Sequence, residues 1–372
     1  MKTALLIDWL NTKRGGGEAV LLELAELYPQ ADIFTLIHNP ELYPELDKRI
    51  VKTSFLQKMP KWLKKRSRYL LPLIPTAIEQ LDLSDYDLVI SCSSAWVKSV
   101  ITKPETTHIC YCYSPTRMIW DYWPQYIEEQ HVGPIRRAAI HLLTSRIRVW
   151  DFLSSSRVDY WVPISQSVSD RILKFYRTNP QPVIYPGADI SKFKPSSSKE
   201  DYFVSVGSLA TYKRIDVAIE ACNELGERLL IAGDGPDRQR LEKLAGPTIE
   251  FLGRVSDEKR REILSRAKAF IFPGLEDFGI TPLEAMASGT PVIAYGAGGV
   301  SETVVDGKTG IFFDQIDKDS LKNAIEKFNN AKFDTSALES RAKEFSTDIF
   351  ESKVMSTIDQ LHKEHQKHVL SK

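Results

Sequence analysis

The sequence predicts an α/β protein built from two doubly wound domains, and three observations carry that expectation. A chain of 372 residues exceeds what one ordinary core sustains; at roughly 150 residues per domain, two are expected. Short apolar runs alternate with helix-period stretches from end to end, the pattern of parallel strands joined by crossover helices. A loop-rich stretch, NPQPVIYPGADISKFKPSSSKED from Asn179 to Asp201, interrupts this alternation with four prolines and three consecutive serines, as a linker does. The predicted boundaries are a first domain over 1–185, a second over 186–345, and a terminal helix over 346–372 that packs back toward the first.

In the first domain the strands are predicted at Ala4–Ile7, Asp32–Leu36, Leu88–Ser91, His108–Tyr113 and Tyr160–Pro163. Glu18 to Leu27 has apolar residues at helical spacing and forms the first crossover helix. A second series follows the linker, at Tyr202–Val206, Leu229–Ala232, Glu250–Leu252, Ala269–Phe272, Pro291–Ala294 and Gly310–Phe312. Ligands of such sheets lie at the carboxyl ends of the strands. With two domains, the space between them is the default active site.

Composition narrows the function classes. Apolar residues make up 42% and charged residues 26% of the chain, which supports folded cores rather than disorder. The start, MKTALLIDWL, reaches Asp8 after a short apolar run, unlike a signal peptide, and no run approaches the roughly 18 apolar residues that span a bilayer. Cys92, Cys110, Cys112 and Cys222 fit buried thiols better than zinc ligands or a redox pair, so a cytoplasmic setting without disulfides is expected. The 49 basic and 49 acidic residues cancel, but residues 1–185 hold 23 basic against 19 acidic groups. The second half is therefore acidic by the same margin. No nucleic-acid-reading module accompanies the basic residues.

Three glycine-bearing segments carry the chemistry. Gly15-Gly16-Gly17 follows the first strand and precedes its helix, where backbone N–H groups can face an anion, although a tight turn explains the glycines equally well. VGSLATYKRID, from Val206 to Asp216, puts Lys213 and Arg214 at a strand-to-helix turn, suited to a phosphate or else to a solvated surface. The most informative is PGLEDFGITPLEAMASGTPVIAYGAGGVSE, Pro273 to Glu302, with a helix expected near Thr281-Pro282. Glu276 lies in its loop and Glu284 eight positions later on the helix. Between them the backbone of Asp277, Phe278, Gly279 and Ile280 suits a diphosphate, and a carboxylate on the helix flank suits vicinal hydroxyls.

EDFGITPLE resembles the E-x7-E motif of retaining family-4 glycosyltransferases, which have the GT-B fold of two Rossmann-like domains facing a cleft. GGGEAVLLELAELYPQADIFTL, YCYSPTRMIWDYW, VSVGSLATYKRIDVAIEA, IAGDGP, FLGRV and GAGGVSETVVDGKTG are similar to that family's other blocks, in order. The nearest subgroup in appearance is the mannosyltransferases of O-antigen and related surface-polysaccharide assembly. The resemblance implies that Lys213 holds the donor diphosphate with the backbone around Gly16, Gly17, Gly207 and Ser208. It implies that Glu276 meets the transferred sugar and Glu284 the ribose, while Arg254 and Val255 frame the base. It implies retention of anomeric configuration without a metal or other cofactor. The donor so implied is GDP-mannose, a UDP-sugar being the alternative, and the acceptor a polyprenyl-diphosphate-linked or other lipid-linked saccharide. Silent binding of a nucleotide sugar and a nicotinamide-dependent activity are the rival classes.

Two positions depart from the family pattern. Ser208 stands where many relatives have arginine, so Arg214 or Arg117 on the acceptor side is expected to supply the missing charge. Tyr113 stands where many have histidine; a phenol is a poor base at neutral pH, which favours positioning over proton abstraction. From Lys48 to Ile78 nine basic residues occur with no acidic one. A helix from Pro60 would put Trp62, Leu63, Tyr69 and Leu70 on one face and Lys61, Lys64, Lys65 and Arg68 on the other, suited to an anionic membrane surface at its cytoplasmic side. Arg136, Arg137, Arg146 and Arg148 form a second basic cluster. His362, His365 and His368 share a helix face, expected to be solvated.

Overall fold

The computed structural model describes the chain except residues 13–14, 65–66, 130–132 and 372. The chain divides into two compact units, Met1–Ile184 with Glu351–Lys372, and Tyr185–Phe350.

The first unit holds a six-stranded sheet: β1 (Thr3–Ile7), β2 (Asp32–Thr35), β3 (Val51–Thr53), β4 (Leu88–Ser93), β5 (Thr107–Cys112) and β6 (Tyr160–Pro163). The order is β3-β2-β1-β4-β5-β6, with every pair parallel. Strands β1, β4 and β5 are buried along their whole length, as sheets covered by helices on both faces require. Strand β3 is absent from the sequence-based reading for a physical reason: it is a three-residue edge strand, VKT, with no buried residue and hence no apolar run to detect. Lys52 on it bonds the Tyr86 hydroxyl at 2.8 Å and lies 3.3 Å from Asp32.

The second unit repeats the plan with β7 (Phe203–Val206), β8 (Leu229–Ala232), β9 (Ile249–Gly253), β10 (Ala269–Phe272), β11 (Val292–Tyr295) and β12 (Gly310–Phe313). Its order, β12-β11-β10-β7-β8-β9, is again all parallel. In each sheet the strand order reverses beside the first strand, between β1 and β4 and between β7 and β10. That reversal opens a crevice at the carboxyl ends, the place where open α/β sheets bind ligands. The chain passes between units at Ile184–Tyr185, at the start of the proline-rich stretch rather than in its serine run.

Two expectations need correction. The segment after Pro60 is not one α-helix among the described residues: Lys61–Lys64 is a single helical turn, and Ser67–Leu73 is a 3-10 helix containing Pro72. At three residues per turn the 3.6-residue register is lost. Leu70 is buried and Leu63 packs on the same hydrophobic cluster, while Trp62 and Tyr69 remain 63% and 41% exposed. Lys61 is exposed and Lys64 bonds the Gln57 carbonyl at 3.0 Å; Lys65 and the Arg68 side chain lie outside the described residues. The terminal histidines do not all face solvent. On the Thr347–Leu370 helix, His362 Nδ1 lies 2.8 Å from Thr107 Oγ1 and His365 Nε2 lies 3.0 Å from the Pro104 carbonyl, holding the helix beside β5.

Candidate functional site

In the second unit, Lys213 and Glu276 approach from different loops. Strand β7 ends at Val206 and leads through Gly207 and Ser208 into a short 3-10 turn, Thr211–Lys213. Strand β10, hydrogen-bonded beside it, ends at Phe272 and leads through Pro273 and Gly274 to Glu276. The two loops flank the strand-order reversal. There the Lys213 ammonium forms a salt bridge with Glu276 Oε1. Gly207, Ser208, Lys213, Gly274 and Glu276 line one small crevice. Burial alone would lower the Lys213 pKa, but the Glu276 carboxylate outweighs it and raises the lysine above its ordinary range, so the cation persists at neutral pH.

The loop carrying Glu276 is held from behind. Gly299 N–H donates to the Glu276 carbonyl at 2.9 Å. Gly298 has φ +75°, and a Cβ there would stand 2.4 Å from the same carbonyl oxygen. The GAGG segment after β11 is therefore glycine-rich because another backbone lies against it. Phe278 packs elsewhere: it is buried, with its ring stacked 5.8 Å from Tyr185 and tilted against Phe345 at 6.0 Å. Gly279, at φ +89°, then starts the Ile280–Ala287 helix. Asp277 and Ile280 are partly buried on either side.

Glu284 on that helix is 7% exposed. Arg260, from the Asp257–Arg266 helix, reaches its Oε1 at 3.1 Å, while Oε2 has no hydrogen-bond partner among the described residues. Burial raises the Glu284 pKa to about 7, with Arg260 opposing the rise. A buried, unsatisfied acceptor is uncommon and suits a donor such as a ligand hydroxyl. Arg260 was not anticipated, because nothing local in DEKRREILSR distinguishes it from its neighbours; only helix packing selects it.

Other expected cations turn elsewhere. Arg214 adopts φ +53° at the start of the Ile215–Leu225 helix, and its Nε bonds Asp216 at 3.2 Å. Arg254 is exposed, 3.7 Å from Asp234, with Val255 half-buried beside it. Lys213 is the cation that pairs with Glu276.

In the first unit, Gly16 and Gly17 begin the Gly16–Leu27 helix, and Gly15 N–H donates to Glu18 Oε2 at 2.9 Å. A carboxylate thus already neutralises part of that helix start. The Tyr113 hydroxyl donates to the Gly17 carbonyl at 2.8 Å, and a Cβ at Gly17 would stand 2.9 Å from the Tyr113 ring. Tyr113 therefore clamps the glycine loop, and burial, reinforced by Cys92, pushes its pKa well above 10. Arg117 lies 3.7 Å from Asp121, which also receives Arg171 at 3.1 Å. Asp8 was missed by sequence reasoning. At the end of β1 it accepts from the backbone N–H groups of Ser94, Ala95, Trp96 and Val97 and from the Ser94 hydroxyl, at 2.7–3.0 Å, shaping the loop after β4. Its available signal was a lone carboxylate ending a fully apolar strand.

Residues 188–345 match the family Glycosyl transferases group 1. Those residues take in nearly the whole second unit. The chain is 28% identical over 205 residues to the O-antigen chain mannosyltransferase RfbU of Salmonella typhimurium, covering 49% of this chain and 58% of that protein. It is 31% identical over 170 residues to the GDP-mannose-dependent alpha-(1-6)-phosphatidylinositol monomannoside mannosyltransferase of Mycolicibacterium smegmatis, covering 38% and 44%. The chain thus spans about half the length of the curated relatives it matches. Among solved structures, Anabaena HepE in complex with UDP aligns with a TM-score of 0.69 at 18% identity, over 97% of this chain and 100% of that one. The fold is GT-B, and Lys213, Glu276 and Glu284 all lie inside the residues that match the glycosyl transferases group 1 family.

Proposed function

We propose that this chain is a retaining, metal-independent hexosyltransferase that moves mannose from GDP-mannose onto a lipid-linked saccharide, working peripherally at the cytoplasmic face of a membrane. The observation that carries the reading is the Lys213–Glu276 pair at the strand-order reversal inside the residues that match the glycosyl transferases group 1 family. The mannosyltransferase relatives favour the sugar, and the GDP-mannose-dependent one favours the base.

The chemistry follows from the charges. Before donor binds, the Lys213 cation is neutralised by Glu276. A diphosphate entering the crevice offers Lys213 a second anion, releasing Glu276 to accept hydrogen bonds from the sugar hydroxyls. Glu284 Oε2 accepts from the ribose. Lys213 then stabilises the charge that grows on the leaving diphosphate as the anomeric carbon–oxygen bond breaks, the contribution a preorganised cation makes to a transition state. The acceptor hydroxyl attacks from the face the diphosphate leaves, and a phosphate oxygen takes its proton, so the anomeric configuration is retained. Tyr113, engaged with Gly17, positions the loop and leaves this proton transfer to the phosphate.

Incubating the pure protein with labelled GDP-mannose or a UDP-hexose, together with a lipid-linked saccharide, tests the reading. Sustained, chelator-insensitive mannose transfer is expected from GDP-mannose, and transfer from the UDP-sugar alone would replace the donor. Glu276→Ala should reduce turnover by at least about a hundredfold, the scale of losing one transition-state contact, while the circular dichroism spectrum shows the fold kept. Near-normal turnover by that variant would refute the role of Glu276.

A further inference from the structure

The helix Pro134–Ser154 in the first unit carries an apolar face that no other described residue covers. Its inner side packs through Ile147, with Leu143 and Trp150, onto the hydrophobic cluster beneath it. Its outer side exposes Ile135 (86%), Leu142 (58%), Val149 (60%), Phe152 (40%) and Leu153 (63%). At 100° per residue these five fall within an arc of about 100°, opposite the buried Thr144, Ile147 and Asp151. They share one side of this 21-residue helix, with Ala138 and Ser145 between them on the same side.

The charges around the stripe have one sign. Arg136, Arg137 and Arg146 are exposed. The helix's sole acidic residue, Asp151, is fully buried, paired with Lys98 at 2.5 Å and bonded by Trp120 and Tyr176. Arg148 is occupied at the Ile119 carbonyl, 2.7 Å away. The outward surface of this helix therefore presents apolar side chains and cations without a carboxylate. Trp62 stands exposed on a segment that caps the same hydrophobic cluster through Leu63.

We infer that this face is the membrane-docking surface of the protein, lying in the interface of an anionic bilayer with Leu142, Val149 and Leu153 immersed and Arg137 and Arg146 at the phosphates. The combination of a broad apolar stripe and flanking arginines is what interfacial helices use. A second copy of the chain fits less well. Arg146 lies near the middle of the stripe, so face-to-face pairing would bring arginines together with no exposed carboxylate from either helix to meet them. The inference relocates the membrane contact from the basic 61–68 segment. It gives the lipid-linked acceptor reading a physical surface and is tested without any transfer assay, so either can fail alone.

The experiment is co-sedimentation of the full chain with vesicles of phosphatidylglycerol and phosphatidylcholine, or of phosphatidylcholine alone. The wild type is expected to pellet with the anionic vesicles, and less so as salt rises. L142Q/V149Q should weaken that binding by about tenfold or more through lost apolar burial. R137E/R146E should weaken it by about as much on anionic vesicles only. Both pairs are exposed, so circular dichroism melts should match the wild type. Wild-type binding by both variants would overturn the assignment. So would a vesicle-free dimer, seen by sedimentation velocity, that L142Q/V149Q dissolves, since the stripe would then belong to a second copy.

Discussion

A carboxyl group 7% exposed beside a single guanidinium cannot ionise as a free one does. The Glu284 pKa is raised to about 7, chiefly by burial. The folded state therefore holds a proton that the unfolded chain releases near its ordinary value. Stability from this group is complete below about pH 4.5 and is lost as pH rises through 7, by about 3 kcal/mol for such a shift. Glu284→Gln should flatten that dependence: melting compared at pH 5 and pH 8 should show a smaller loss in the variant. An equal loss would place the titration elsewhere. Tyr113 makes the opposite case. Its hydroxyl is spent on the Gly17 carbonyl, so Tyr113→Phe should cost about 1 kcal/mol of stability and leave turnover within about an order of magnitude. A thousandfold fall in kcat would instead make it a proton carrier. Glu276 and Lys213 were legible from their motifs, and Glu284 from its spacing. Arg260 and Asp8 were not, because their partners lie on elements distant in the chain.

At the scale of elements, the Pro134–Ser154 helix is tied to the sheet by a buried ion pair. Lys98 and Asp151 are both fully buried, and Thr116, Trp120 and Tyr176 also bond the carboxylate. Breaking one partner strands the other charge in a dry site, so Asp151→Ala should cost about 3–5 kcal/mol. An apolar double replacement, Lys98→Met with Asp151→Leu, should recover much of that loss, measured by urea unfolding. Eleven of the twelve strands were legible as apolar runs, with ends shifted by a residue or two. The twelfth, β3, is an edge strand whose pairing to β2 supplies the order that its composition lacks. The 61–73 segment differs for the reverse reason: its pattern suits an α-helix, but among the described residues Lys61–Lys64 is one helical turn and Ser67–Leu73, which contains Pro72, is a 3-10 helix whose Leu70 joins the core.

At the scale of the whole molecule, each unit has its own hydrophobic cluster, one built on β1 and β4 and the other on β7 and β10. A ligand that binds one native unit stabilises that unit by mass action, about 2.7 kcal/mol at a hundredfold excess over Kd. Calorimetry with GDP-mannose should therefore raise the transition of the unit holding Lys213 and Glu276, and Lys213→Ala should abolish the shift. Equal shifts with and without Lys213 would remove it from the donor site. The zero net charge resolves at the same scale. It hides a basic first half, and tertiary packing decides which of those cations face outward: Arg136, Arg137 and Arg146 do, whereas Arg148 is turned inward.

The sequence by itself determined two parallel α/β units, the order of their motifs, the loops that carry Lys213 and Glu276, and the helix that carries Glu284. Periodicity and glycine placement are local properties, and strand-to-helix turns are local structures. Only the tertiary structure decided that Lys213 meets Glu276, that Arg260 covers half of Glu284, that Tyr113 clamps Gly17, and that the Pro134–Ser154 helix leaves an apolar face uncovered. Each of these depends on which side chains from distant parts of the chain share a neighbourhood once the sheet order is set, and hydrophobic pattern alone does not encode that order.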